Sequence, residues 1–272
     1  MTDDAALAHV PDGPVPSSRG GARLLDLVRV MAKLRAHDGC PWDREQTHAT
    51  LARHLLEEAH ELLEAVDTGD PDRIRDELGD LLLQVVFHAQ MAAEEGAFDV
   101  DDVAEGLVRK LVHRHPHVFG DVEVRGAPEV LVNWEKLKAE EEGGRRAVDD
   151  AIPVTLPSLA RAAKVQRRAA GWGGFGWRTT EAALDALREE VEELAGHTDA
   201  DNAEEEIGDV LFATVAVARS LDVDGETALR RTINGFARRY ERFTELAAER
   251  GIDVEALSEA DARRLFREAR EP

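Results

Sequence analysis

The sequence predicts an all-α protein built of two similar helical modules, and three observations lead to that expectation. Apolar residues recur at helical spacing almost throughout the 272 residues, while alternating runs rich in Val, Ile and Tyr are missing apart from a short stretch near Val122 and Val124. A Glu-Glu-x-x-Glu cluster followed by Glu-x-x-Asp and a long apolar run occurs twice, first as Glu57, Glu58, Glu61, Glu77 and Asp80, then as Glu189, Glu190, Glu193, Glu206 and Asp209. Each set follows a glycine-containing segment that ends in tryptophan, Gly39-Cys40-Pro41-Trp42 and Gly174-Phe175-Gly176-Trp177, so the order of features repeats as in a tandem array.

Taken in order, residues 1–22 carry Asp3, Asp4, three prolines and Gly20-Gly21, and are expected to form a disordered tail. Helices are expected to begin near Leu24, Thr47, Asp72, Val103 and Pro128 in the first module, residues 23–142. In the second module, residues 157–272, they are expected near Pro157, Thr180, Asn202, Gly225 and Ser258. Several starts have a physical signal: Asp70-Pro71 offers a cap and an N1 proline, and Thr180 with Glu181 offers a cap and an early acid. Between the modules, Gly143-Gly144, Pro153 and many charges suit a linker over residues 143–156.

Composition narrows the class. A hydrophobic content of 43% allows a real core, and 56 Asp and Glu against 34 Lys and Arg give a formal charge of -22. That charge opposes attraction to a nucleic acid polymer or an anionic membrane, and handling of an anionic substrate would call for divalent cations as intermediaries. Cys40 is the single cysteine, which excludes an intrachain disulfide and a Cys-rich zinc site and fits a reducing cytoplasm. No apolar stretch approaches the roughly 20 residues that cross a bilayer.

The acids are the candidate site. Residues three apart share a helix face, so Glu58 points with Glu61 and Glu77 with Asp80. The turn Asp67-Thr68-Gly69-Asp70-Pro71 makes the two helices antiparallel neighbours, and the two pairs can then meet above an apolar seam of Leu55, Leu62, Val66, Ile74, Leu78, Leu81 and Val85. A lone acidic cluster is mostly solvated surface; pairing with Glu-x-x-Asp and recurrence in the second half favour a metal role. Oxygen donors without Cys or His favour a hard ion, Mg2+ first, with Mn2+ as a substitute.

With these residues in view, the chain resembles the MazG family of nucleoside triphosphate pyrophosphohydrolases over about residues 22 to 270. The resemblance rests on Gly39-Cys40-Pro41-Trp42-Asp43, Leu56 to Glu61, Glu77 to Leu82, Arg114 to Phe119, Trp134 to Lys138, Ala163 to Gln166, Gly174 to Trp177 and Phe236 to Tyr240. It implies an all-α homodimer completing four-helix bundles, and hydrolysis of nucleoside triphosphates to a monophosphate and pyrophosphate with magnesium and broad base tolerance. It also implies metal ligation by Glu58, Glu61, Glu77 and Asp80, and by Glu190, Glu193, Glu206 and Asp209. Glu57 and Glu189 become candidates for a second ion or for activating water, and Glu57, Glu61, Glu189 and Glu193 form the catalytic candidates.

Candidates for substrate contact are Lys110, Trp42, Trp177, Arg231 and Asn234, with the two tryptophans open to base stacking or to capping the bundle core. Against the family pattern, Val108 replaces an asparagine in the first module, and Ile233, Gly235, Gly176 and Phe266 replace polar or aromatic residues in the second. Those departures motivate an alternative, a catalytically weak nucleotide-sensing or partner-binding protein. His113, His115 and His117 flank Pro116 at a spacing that suits a loop better than a metal set. Glu57-x-x-His60 has the spacing of a di-iron motif, but the second half has Glu189-x-x-Glu192 there, which weakens an iron reading.

Overall fold

The structure is a computed structural model that describes residues 21–127, 129–130, 133–134, 137, 148–150, 152–173, 176–196 and 200–270. The expected tail before residue 21, most of the segment following Pro128, linker residues 143–147 and the Gly174-Phe175 pair lie outside the described residues. The chain divides into two compact units, residues 1–144 and 145–272. Every regular element among the described residues is helical, and Val122 and Val124 sit in an irregular segment.

The first unit contains α1 Ala22–Arg35, the one-turn α2 Pro41–Glu45, α3 His48–Thr68, α4 Pro71–Glu94, α5 Val100–Arg114 and the short α6 Pro116–Phe119. Thr47 and Thr50 form a reciprocal cap that starts α3. Its end is set by Gly69 at φ 71, a left-handed conformation that glycine adopts without a Cβ penalty. Asp70 then caps α4 through the Asp72 N–H at 3.0 Å, with Pro71 at the first helical position. A connection of two residues leaves α3 and α4 antiparallel and packed against each other.

The core of this unit lies toward the far end of α4, where Met31, Leu51, Val86, Phe87 and Met91 cluster with Leu27, Val28 and Leu83. Arg35 ties α1 to the same end: its Nε and Nη2 donate to Glu94 at 2.7 to 3.0 Å, and its Nη1 donates to the Asp43 carbonyl at 2.5 Å. His48 and His88 stack with ring centroids 4.9 Å apart and share a hydrogen bond between Nδ1 atoms at 2.6 Å.

The expected apolar seam is only partly closed. Leu62, Ile74 and Leu81 are half-buried, whereas Leu55, Val66, Leu78 and Val85 remain exposed. Two packed helices have too little surface to enclose both flanks of an apolar stripe, so one flank is left to solvent in the single chain.

The second unit contains α7 Ser158–Gly173, α8 Thr180–Gly196, α9 Ala200–Ser220, α10 Gly225–Glu249, a 3-10 turn Val254–Ala256 and α11 Glu259–Glu268. Helices α8 and α9 repeat the α3–α4 pairing, and α7 packs on α9 and α10. Phe243, Leu246, Ala247, Leu265 and Ala269 form a core between α10 and α11, with Phe266 beside it. Gln166 of α7, 4% exposed, donates to the Phe212 carbonyl at 2.7 Å and accepts from Arg219 at 3.1 Å, so its buried amide is satisfied.

Candidate metal and active site

The hairpin of α3 and α4 does what the residue spacing requires of it. Carboxylate oxygens of Glu58, Glu77 and Asp80 come within 4.8 Å of one another, and in the second unit Glu190, Glu206 and Asp209 do the same. Glu58 and Glu77 are half-buried and Asp80 is exposed, a pattern that Glu190, Glu206 and Asp209 repeat. Such a set can hold one hard cation from two helices.

Electrostatics agrees with that geometry. Burial, then the charges of Asp80, Glu61 and Glu77, raises the Glu58 carboxyl above its ordinary value of 4.5. Burial followed by Asp209, Glu193, Glu206 and Glu189 raises Glu190 in the same direction. In each unit the glutamate from the first helix of the hairpin carries the cost of facing acids on the second. A bound divalent ion would neutralise that repulsion, so the donor chemistry fits a hard cation.

Glu61 lies outside the converging set, but its charge helps to raise Glu58, and Glu193 acts electrostatically on Glu190 from the matching position. Glu57 is exposed on α3, and its Oε2 meets Nδ1 of His54 at 3.0 Å. Glu189 is exposed on α8. His54 was not singled out by the sequence reading, although it lies three residues before Glu57 and therefore on the same helical face.

Trp42 is 52% exposed on α2 and meets His54 edge-on at 6.3 Å, so it does not cap a core in this unit. Trp177 is half-buried and packs edge-on to Phe212 at 6.5 Å. Lys110 is exposed on α5, while Arg231 and Asn234 are exposed on α10. His115 spends its Nδ1 on the Leu111 carbonyl at 2.6 Å, and the His113, His115 and His117 trio forms no metal-holding group among the described residues.

Two departures from the family pattern have local physical settings. Gly176 adopts φ 143, a region that L side chains rarely enter, so a glycine fits that backbone where an aspartate would be strained. Phe266 lies against Phe236 at 5.3 Å, and the Arg239 guanidinium sits 4.1 Å over its ring. Its Nε donates to the Phe266 carbonyl at 2.7 Å.

Comparison with known proteins adds a consistent picture. A family model described as the MazG nucleotide pyrophosphohydrolase domain matches residues 46–119 and again residues 178–244. The chain is 46% identical over 237 residues to a nucleoside triphosphate pyrophosphohydrolase of Escherichia coli K12, covering 84% of this chain and 89% of that protein. It is 42% identical over 234 residues to the nucleoside triphosphate pyrophosphohydrolase/pyrophosphatase MazG of Thermotoga maritima, covering 85% and 89%. A nucleoside triphosphate pyrophosphohydrolase of Mycobacterium tuberculosis is 47% identical over 156 residues, covering 57% of this chain and 47% of that protein.

Proposed function

The chain belongs to the MazG nucleotide pyrophosphohydrolase domain family, and from that premise we propose that it hydrolyses nucleoside triphosphates to monophosphates and pyrophosphate. The reading extends to dependence on Mg2+, with Mn2+ able to substitute, and to broad or noncanonical nucleotides as substrates. The observation that carries it is the carboxylate set that converges within 4.8 Å in both units.

Glu58, Glu61, Glu77 and Asp80 would hold the metal in the first unit, and Glu190, Glu193, Glu206 and Asp209 in the second. When bound, the ion supplies charge neutralisation for the triphosphate and acidifies a coordinated water. The chain's own part would be to set the ligands on two rigid helices, to offer Glu57 or Glu189 as proton acceptor for an attacking water, and to approach phosphate oxygens with Lys110, Arg231 and Asn234. Trp42 and Trp177 would contact the base.

A homodimer is part of the proposal. Leu55, Leu56, Leu63 and Val66 on α3 and Leu78, Leu82 and Val85 on α4 are exposed, and so continuous an apolar face on charged helices suits two more helices from a second copy. Among the described residues no helix is long and apolar enough to cross a membrane. A cytoplasmic location without a nucleic acid polymer as partner follows from the single cysteine and the charge of -22.

The test is a pyrophosphate-release assay over a panel of ribo- and deoxyribonucleoside triphosphates, with magnesium and with chelator. Product with magnesium alone is expected, and absence of product from every nucleotide would sink the hydrolase reading in favour of a nucleotide-sensing protein. Glu58→Ala and Glu190→Ala then apportion activity between the units: the variant in the working unit is expected to lose at least about a hundredfold in rate, as for loss of a principal electrostatic element.

A further inference from the structure

We infer that the second unit carries a separate oxyanion site, held by Arg167 and Arg219 in the cavity where α7, the end of α9 and the start of α10 meet, and that it takes a phosphate group. The cavity has a volume of about 300 Å³ and is lined by both arginines, Val215, Asp222, Asp224 and Gly225. Arg219 is half-buried and fixed in place by donating to Gln166 Oε1 at 3.1 Å, while Gln166 is itself anchored on the Phe212 carbonyl. A guanidinium has five donors, so this bond leaves most of them for a ligand.

Arg167, one residue beyond Gln166 on α7, brings a second guanidinium to the same space. Among the described residues no carboxylate lies within ion-pair distance of either one. Burial and then the charge of Arg167 draw the Arg219 guanidinium below its ordinary value, as happens when like charges face each other with no anion between them. Two guanidiniums lining a cavity match the forked geometry of a phosphate better than that of a single hydroxyl or amide.

Of the two acids at the cavity, Asp224 has its carboxylate engaged by the backbone. Asp224 caps α10, accepting from the Thr227 N–H at 2.8 Å. Asp222 ends α9 at φ 56, where its N–H bonds the Arg219 carbonyl at 3.1 Å and the next N–H, of Val223, bonds Ala218 at 2.8 Å. Their charges limit the site to a small anion and disfavour an extended polyanion.

This cavity is distinct from the acidic cluster. Arg219 lies ten residues beyond Asp209 on the same helix, about 15 Å along its axis. Among the described residues the first unit offers no counterpart: Met31 and Gln166 each stand eleven residues before their tryptophan, and Met31 is part of an apolar core. The inference does not depend on hydrolysis, and its test reads binding alone.

The full chain is titrated calorimetrically in chelator, so that the acids hold no cation, with inorganic phosphate, pyrophosphate and adenosine monophosphate at ionic strength matched with sodium chloride. Saturable binding of at least phosphate or pyrophosphate is expected. Arg167→Gln, a change on an exposed side chain, is expected to weaken binding about tenfold, the worth of one charge-assisted contact. Arg219→Gln should weaken it at least as much, and Glu190→Gln should leave it unchanged. Binding of the monophosphate alongside phosphate marks an ester as the ligand; binding of the free ions alone marks an inorganic ligand. Absence of saturable binding, full binding by a folded Arg167→Gln, or loss caused by Glu190→Gln would each overturn the site.

Discussion

Glu58 and Glu190 do the same work at the residue scale: each reaches from the first helix of a hairpin toward acids on the second, and each has its carboxyl raised above 4.5 by burial and those charges. A carboxyl raised in the folded state contributes stability that is present below its unfolded value and is lost as pH rises through the folded one. Without metal, Glu58→Gln should therefore raise the melting temperature at neutral pH and leave it little changed near pH 4, by calorimetry in chelator. A raised carboxyl takes up protons more readily, so magnesium and protons compete for it and the affinity for the ion should fall as pH drops from neutral toward 5. Titrations in buffers of different ionisation enthalpy would reveal proton release; an affinity flat over that range contradicts the assignment.

The residue scale also marks what the sequence could not convey. Spacing placed Glu58, Glu77 and Asp80 together because helical periodicity and a two-residue turn leave little freedom. It did not turn Glu57 toward His54, because a side-chain rotamer depends on neighbours such as Trp42 that arrive from another element. Likewise a tryptophan in a Gly-rich loop before the acidic helix suits capping of the core better than stacking on a base, and only the placement of α2 leaves Trp42 half-exposed.

At the scale of elements, most helix starts were legible because caps and prolines are local chemistry: α3 follows Thr47, α4 opens at Pro71 and α10 at Gly225, while α8 begins at Thr180 but takes its cap from Thr179, whose hydroxyl accepts from the Ala182 N–H at 3.1 Å. The single turns α2 and α6 were not, since four or five residues carry too little periodicity to register. Closure of the upper end of the first unit depends on a contact between elements far apart in sequence, Arg35 with Glu94. The Arg35 side chain is 9% exposed, so Arg35→Ala removes hydrogen bonds that solvent does not readily replace and should cost about 2 kcal/mol of stability. The bond to Arg35 holds the Glu94 carboxyl below its ordinary value. That contribution is present above the unfolded value and is lost as pH falls through the folded one. Wild type and Arg35→Ala should accordingly converge in stability on acidification, as denaturant melts at several pH values would show.

For the whole molecule, the duplicated hairpin accounts for the fold class, and the unfinished burial on it sets the expectation for assembly. The sequence pattern carried an apolar stripe correctly but not which flank of it the chain itself covers, because coverage is a property of surfaces and not of spacing. Val85 is 42% exposed on α4 and forms part of that open face. If a second copy covers it, Val85→Glu should move the protein from dimer to monomer in sedimentation equilibrium at micromolar concentration while circular dichroism stays helical. A wild-type chain that sediments as a monomer would contradict the assembly.

The short turn between α3 and α4 has a kinetic consequence. Glu58 and Asp80 are only 22 positions apart along the chain, and Glu190 and Asp209 only 19. Each prospective metal cage is thus closed by a small loop, with low contact order and little chain entropy to surmount. The hairpin can nucleate early, but bringing its acids together opposes that event until a cation screens them. Magnesium at constant ionic strength should therefore accelerate refolding in stopped-flow fluorescence, and substitution of Glu58 and Glu190 by Gln should speed metal-free refolding and abolish the acceleration. The ion would then act on the folding barrier as well as on the finished protein, a dependence set by how near in sequence its ligands lie.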